Sequence, residues 1–217
     1  MEGDNLITLN DIEKGIEKLN NIWIIPKDER KRWGNRHIWQ STIPFKQSQY
    51  NLLPIINGLE NVSDMTIIDV GCEAGIWSVA LSQKFKKVIA LDLDEPSIKR
   101  TYQTLEVFTD MGFDVSNISI EHKEFQQTYK HDFKDIDGLF IIDGYFNDFS
   151  FFSTHKPLVN HINFLFWSYR ENFSVPIEDR LEEINNIKNT FKEYNFEPNL
   201  YSTVDYNRTG DLFVGIK

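Results

Sequence analysis

Asp69 lies in the apolar run Thr66-Ile67-Ile68-Asp69-Val70, and Gly71, Cys72, Glu73, Ala74 and Gly75 follow at once. The apolar residues around the acid predict a buried strand, and the glycines after it let the backbone turn tightly and approach a ligand without side chains intervening. Ile76-Trp77-Ser78-Val79-Ala80-Leu81 then reads as the start of a helix, and Val88-Ile89-Ala90-Leu91 as a second strand that stops at Asp92, next to Leu93. Strand, glycine turn, helix, strand and terminal acid form the half-unit that holds an adenosine ribose through its hydroxyls. The chemistry on offer is nucleotide-cofactor binding.

The charges in the turn narrow the cofactor. A pyrophosphate needs spaced glycines and a helix N-terminus. Glu73 occupies the middle glycine position, with Asp69 just before the turn. Two carboxylates repel a pyrophosphate and attract a cation, which favours S-adenosylmethionine, a sulfonium with a free ammonium group. The residues Asp69, Gly71 and Gly75 match the first motif of the class I S-adenosylmethionine-dependent methyltransferases, and the chain resembles that family from about Met65 onward. Glu73 departs from it, since glycine is usual there.

The resemblance implies an α/β fold: a seven-stranded Rossmann-like methyltransferase sheet, mostly parallel with an antiparallel C-terminal strand, and helices on both faces. It also implies a cofactor set of Asp69, Gly71, Cys72, Glu73, Gly75, Asp92, Leu93, Glu124 and Phe125. Asp92 would take the ribose hydroxyls, Glu124 the adenine amino group, and Phe125 the ring.

Elements able to position these residues follow in order. Pro96 opens a predicted helix with Ile98, Tyr102, Leu105 and Phe108 on one face, closing near Gly112. Ile118-Ser119-Ile120 reads as a third strand, Gly138 to Ile142 as a fourth and His161 to Trp167 as a fifth. Leu181, Ile184, Ile187, Phe191 and Tyr194 give a helix one apolar face, and strands at 199–204 and 212–216 are joined through Asn207-Arg208-Thr209-Gly210. Ligands of open α/β sheets bind beyond the carboxyl ends of the strands. Asp143, just past the fourth strand, is therefore a candidate general base, with a helix cap or a cofactor bond as its alternatives. The Phe-rich segment from Tyr145 to Phe152 reads as packing material ahead of a substrate box.

Before the core, Leu9, Ile12, Ile16 and Leu19 are spaced for one helix face, Pro26 interrupts the next apolar stretch, and Tyr50 to Leu59 is expected beside the first strand. The family resemblance implies that residues 1–62 are a helical, substrate-capping extension of a 63–217 cofactor-binding core. Lys27, Arg30, Lys31, Arg32 and Arg36 cluster near Trp33 and Trp39, a pattern that suits an anionic or nucleobase-bearing partner; a solvated loop with core-packed tryptophans is the plainer account. His37 lies in that cluster and could accept a proton near neutral pH, although a structural role is the simpler one. His122, His131, His155 and His161 lack ligand spacing, and Glu171 is the lone carboxylate after the fifth strand, so no metal is expected.

Composition bounds the rest. The 217 residues suffice for one sizeable core, and 41% hydrophobic with 26% charged content is ordinary for a globular chain. No apolar run approaches the ~20 residues of a membrane span, and Met1-Glu2-Gly3-Asp4 lacks the basic start of a signal peptide. The lone Cys72 fits a reducing compartment, so a cytoplasmic location is expected, and it reads as a small buried filler. A net charge of −10 argues against broad phosphate-backbone binding.

The leading expectation is methyl transfer to an oxygen or nitrogen nucleophile of a small molecule, with RNA or a nucleotide as second choice. A nicotinamide oxidoreductase is disfavoured by Glu73 and the terminal strand pair. The alternative of another kind is an inactive methyltransferase-fold binding or partner subunit.

Overall fold

The computed structural model describes residues 6–22, 52–129, 133–141, 150–170, 177–205 and 208–217. Its seven strands are β1 (Thr66–Val70), β2 (Lys87–Asp92), β3 (Ile118–His122), β4 (Gly138–Ile141), β5 (Phe164–Arg170), β6 (Glu197–Asp205) and β7 (Arg208–Ile216). They form one sheet in the order β3-β2-β1-β4-β5-β7-β6. The first five pair in parallel, and β7 runs antiparallel to both β5 and β6. The order reverses between β1 and β4, which puts a ligand crevice at the carboxyl end of β1.

Eight helices lie among the described residues: α1 (Leu9–Ile22), α2 (Leu52–Asn57), α3 (Ile76–Ser82), α4 (Glu95–Asp110), α5 (Phe125–Thr128), α6 (Ser150–Thr154), α7 (Lys156–His161) and α8 (Ile177–Glu193). Successive strand residues point to opposite faces, so the sheet divides the core in two. Ile67, Val88, Phe140, Phe164 and Phe166 pack with residues of α1 to α4. Ile68, Ile89, Leu139, Leu165 and Trp167 pack with Phe125, Phe151, Phe152, Leu158 and Ile187 on the other side. Both faces of β1, β2 and β4 are buried but for the first residues of β1 and β2, which is why these strands read as apolar runs, while the edge strand β3 is only half-buried.

Helix α4 shows how local sequence sets the frame. Asp94 caps it by accepting the Ser97 N–H at 3.0 Å, and Pro96 occupies its first turn. At its end Gly112 takes a left-handed φ of 91°, and the Phe113 N–H returns to the Phe108 carbonyl at 3.0 Å. Its buried face is Ile98, Thr101, Thr104, Val107 and Phe108; Tyr102, expected on that face, is 54% exposed. Two fully buried threonines, Thr101 and Thr104, replace the aromatic ring there, and the Thr101 hydroxyl reaches the Ser97 and Glu73 carbonyls at 3.0 and 2.9 Å.

Three other boundaries differ from the sequence reading. His161 ends α7, with Pro157 in that helix's first turn, so β5 starts at Phe164 and runs on to Arg170. Arg208, Thr209 and Gly210 belong to β7, because the pairing of β6 with β7 continues to Asp205 opposite Arg208. At the N-terminal end, Ile12 and Leu19 are buried as expected, whereas Leu9 is 36% exposed and Ile7 is buried in its stead.

Candidate cofactor site

The turn from Gly71 to Gly75 crosses the carboxyl end of β1 and is fastened to the end of β2. The Gly71 and Cys72 N–H groups donate to the Leu91 carbonyl at 2.8 and 3.0 Å, and the Gly75 N–H closes the turn on the Cys72 carbonyl at 2.7 Å. Gly71, Glu73 and Gly75 all have left-handed φ, at 70°, 50° and 71°. Gly75 is also a close-approach position: a Cβ there would sit 2.5 Å from Cγ2 of Thr101. Glu73 thus follows the left-handed path that a glycine takes easily, and its side chain is exposed.

Asp92 is held by two backbone amides. Its Oδ2 accepts the Glu73 N–H at 2.9 Å and its Oδ1 the Asp94 N–H at 2.8 Å. Burial pushes the Asp92 carboxyl above its usual range, and the amide bonds from Asp94 and Glu73 oppose that rise. Leu93, beside it, is 51% exposed. His122 at the end of β3 bonds the Leu93 carbonyl through Nε2 at 2.9 Å, and the Lys123 N–H reaches the Asp92 carbonyl at 3.1 Å.

Asp69, on β1 just before the turn, is bonded from within the fold. It is buried and accepts a short hydrogen bond from the Ser78 hydroxyl on α3. Desolvation by burial pushes its pKa up to about 7; the Ser78 bond lowers it, and the charge of Asp92 raises it further. The Cys72 thiol is likewise pushed up, first by burial and then by Asp69 and Asp92, which keeps it protonated and poorly nucleophilic.

Glu124 sits at the N-cap of α5, partly exposed, while Phe125 is 4% exposed and packs against Tyr129 and His155 with ring centroids 5.7 and 5.4 Å away. Asp69, Gly71, Cys72, Glu73, Gly75, Asp92 and Leu93 therefore converge at one end of the sheet, and Glu124 and Phe125 follow the neighbouring strand. Asp143, His37 and the 27–36 basic cluster lie outside the described residues. Ser78 and Thr101 were not singled out by sequence, because a hydroxyl on an apolar helix face carries no motif of its own. Among the described residues no three or more His, Cys, Asp or Glu side chains are grouped to hold a metal ion, and no helix is long and apolar enough to cross a membrane.

No protein-family model matches the sequence, and no curated protein matches it. Solved structures do match in shape. Magnesium protoporphyrin IX methyltransferase from Synechocystis PCC 6803, with bound S-adenosylmethionine, superposes with a TM-score of 0.57 at 14% identity, over 78% of this chain and 79% of its own. The methyltransferase domain of bacterial Hen1 gives 0.58 at 12% identity, over 79% of this chain and 100% of the domain. Precorrin 8w decarboxylase from Methanobacterium thermoautotrophicum gives 0.53 at 14% identity, covering 76% of this chain and 90% of that one. The architecture is the Rossmann-like fold of class I S-adenosylmethionine-dependent methyltransferases. A protein described as a decarboxylase shares it, so the reaction must be argued from the site.

Proposed function

We propose that this chain binds S-adenosylmethionine across the 71–75 turn and transfers its methyl group to an oxygen or nitrogen nucleophile, on a small molecule in preference to RNA. The observation that carries the reading is the Asp92 carboxylate, oriented by two amides at the end of β2. A carboxylate has about four acceptor sites, so one bond on each oxygen leaves each a further lone pair, which suits the two hydroxyls of a ribose. Leu93 supplies exposed apolar surface for the adenine ring, with Glu124 to accept from its amino group. The charge of Glu73, exposed on the turn, favours a cation over a pyrophosphate.

When bound, S-adenosylmethionine supplies an electrophilic methyl group on sulfur. The chain's part is to align the acceptor and exclude water, for which residues 1–62 are the proposed cap. Where the acceptor must lose a proton, the Asp143 carboxylate is the proposed base, with His37 as the second candidate. The net charge of −10 favours a small acceptor over a polyanion.

Calorimetric titration with S-adenosylmethionine and S-adenosylhomocysteine tests the cofactor half. Micromolar binding that Asp92→Ala weakens tenfold or more is expected, and absence of binding to both ligands sinks the reading. Transfer of a labelled methyl group to RNA but to no small-molecule fraction would reverse the acceptor preference. Binding with no transfer to either would favour an inactive partner subunit.

A further inference from the structure

Glu73 is unusual for its backbone. The other described non-glycine residues with positive φ are Asn61 and Asn195, and asparagine tolerates the left-handed region because its short polar side chain bonds locally. Glutamate, longer than asparagine, is not among the residues that visit this region routinely, and its Cβ crowds the following carbonyl. Something outside the residue must hold it there.

Two groups do so from opposite sides of the same residue. The Glu73 N–H donates to Asp92 Oδ2 at 2.9 Å, and the Glu73 carbonyl accepts from Thr101 Oγ1 at 2.9 Å. Thr101 is fully buried on α4 and presses its Cγ2 toward Gly75, at the far end of the same turn. Its hydroxyl has one hydrogen and two acceptors in reach, the Glu73 carbonyl and the Ser97 carbonyl at 3.0 Å. Donation to Ser97 is the ordinary threonine back-bond within a helix; donation to Glu73 fastens the turn. The Cys72 sulfur lies 3.6 Å from the same oxygen and can donate its proton there, which leaves the threonine hydrogen free for a carbonyl.

We infer that Thr101 is a positioning residue for the cofactor turn, acting with Asp92 as a two-sided clamp that keeps Glu73 left-handed and the turn ready for the ligand. The inference rests on the cofactor reading above. Asp92 serves twice in it: the carboxylate offered to the ribose is the one that fixes the turn, so the two halves of the site are set together. Glycine at position 73 would reach the same backbone unaided, so dependence on the clamp follows from having glutamate there.

The test is S-adenosylhomocysteine affinity in Thr101→Val, Thr101→Ser, Glu73→Gly and the double variant Thr101→Val/Glu73→Gly, together with amide hydrogen exchange by NMR. Valine keeps the shape and loses the hydroxyl; serine keeps the hydroxyl and loses the methyl. Thr101→Val is expected to weaken binding about tenfold and Thr101→Ser less than twofold, whereas the double variant should bind within twofold of Glu73→Gly alone, the reference that already lacks the turn's carboxylate. In Thr101→Val the Glu73 amide should exchange at least tenfold faster, and the Val88 amide, bonded to the Asn117 carbonyl within the sheet, should not change. Should Thr101→Val fail to fold, Thr101→Ala removes the same hydroxyl without the extra methyl and is read by the same criteria. Equal weakening by valine and serine, or a tenfold loss from Thr101→Val in the Glu73→Gly background as well, overturns the clamp. If the wild-type chain binds no S-adenosylhomocysteine, the cofactor reading falls and exchange alone decides: a faster Glu73 amide upholds the clamp on the turn, and an unchanged one refutes it.

Discussion

The two sides of the β1–β4 crevice are built by different means. Toward β2, directional hydrogen bonds from side chains do the holding: Ser78 on the Asp69 carboxyl, Asp92 on the Glu73 and Asp94 amides, and Thr101 on the Glu73 carbonyl. Toward β5, rings hold rings: Phe140 stacks on Phe166 at 4.4 Å, and Phe152 meets Trp167 edge-on at 5.6 Å and Phe191 at 5.5 Å. Directional bonds fix where a turn sits to within a few tenths of an ångström, whereas apolar contact fixes volume and is tolerant of direction. The polar side should therefore govern ligand affinity, and the aromatic side stability.

Trp167→Ala is the strongest test of that division. Removing a fully buried indole is expected to cost about 3–5 kcal/mol in urea unfolding, with S-adenosylhomocysteine affinity little changed at denaturant-free concentrations where the variant is folded. A large affinity loss in the folded variant would break the contrast.

Asp69→Asn probes the polar side through pH. The folded pKa of about 7 lies above the ordinary aspartate value of 3.8, so between them the folded chain keeps a proton that the unfolded chain has released. Stability contributed by Asp69 is then full at low pH and declines as pH rises toward 7, with a limiting slope of about 1.4 kcal/mol per pH unit. Asparagine can still accept from Ser78 and carries no charge, so the variant should be the more stable at pH 8 and lose this slope. A wild-type stability that rises from pH 4 to 7, with no change in the variant, would contradict it.

Asp92→Ala comes next, with the tenfold loss of affinity already described, equivalent to about 1.4 kcal/mol. Glu73→Gly should have the smallest effect. Relief of left-handed strain, about 1–2 kcal/mol, is offset by the greater freedom of glycine in the unfolded chain, about 0.5–1 kcal/mol. A net gain of roughly 0.5 kcal/mol is expected by thermal unfolding, and a loss of stability would show that Glu73 contributes through its side chain.

The same division explains what could be read in the sequence. The apolar runs of β1, β2 and β4 declare themselves because both sheet faces are covered, and the turn with its flanking acids is a contiguous pattern. Ser78 and Thr101 act across 9 and 28 residues of chain, and nothing in a periodic pattern distinguishes a hydroxyl that holds a turn from one that packs. Tyr102 went astray for a related reason: helical spacing marks a face but does not say whether threonine methyls or an aromatic ring fill it. The strand β5 begins later than its sequence suggests because Ile162 continues the alternation of Phe164 and Phe166 leftward, while in the fold α7 runs to His161 and Ile162 is its C-cap.

Strand β7 follows β6 in the chain yet lies between β5 and β6. During synthesis β6 has no place in the sheet until β7 has been made, and the chain grows at only about 5–20 residues per second. For some seconds the nascent protein therefore presents β5, with Phe164, Leu165, Phe166 and Trp167, as an open edge to whatever is nearby. The exposed edge lasts until β7 docks, and covering that one strand during synthesis is what would keep the nascent chain from pairing with a neighbour.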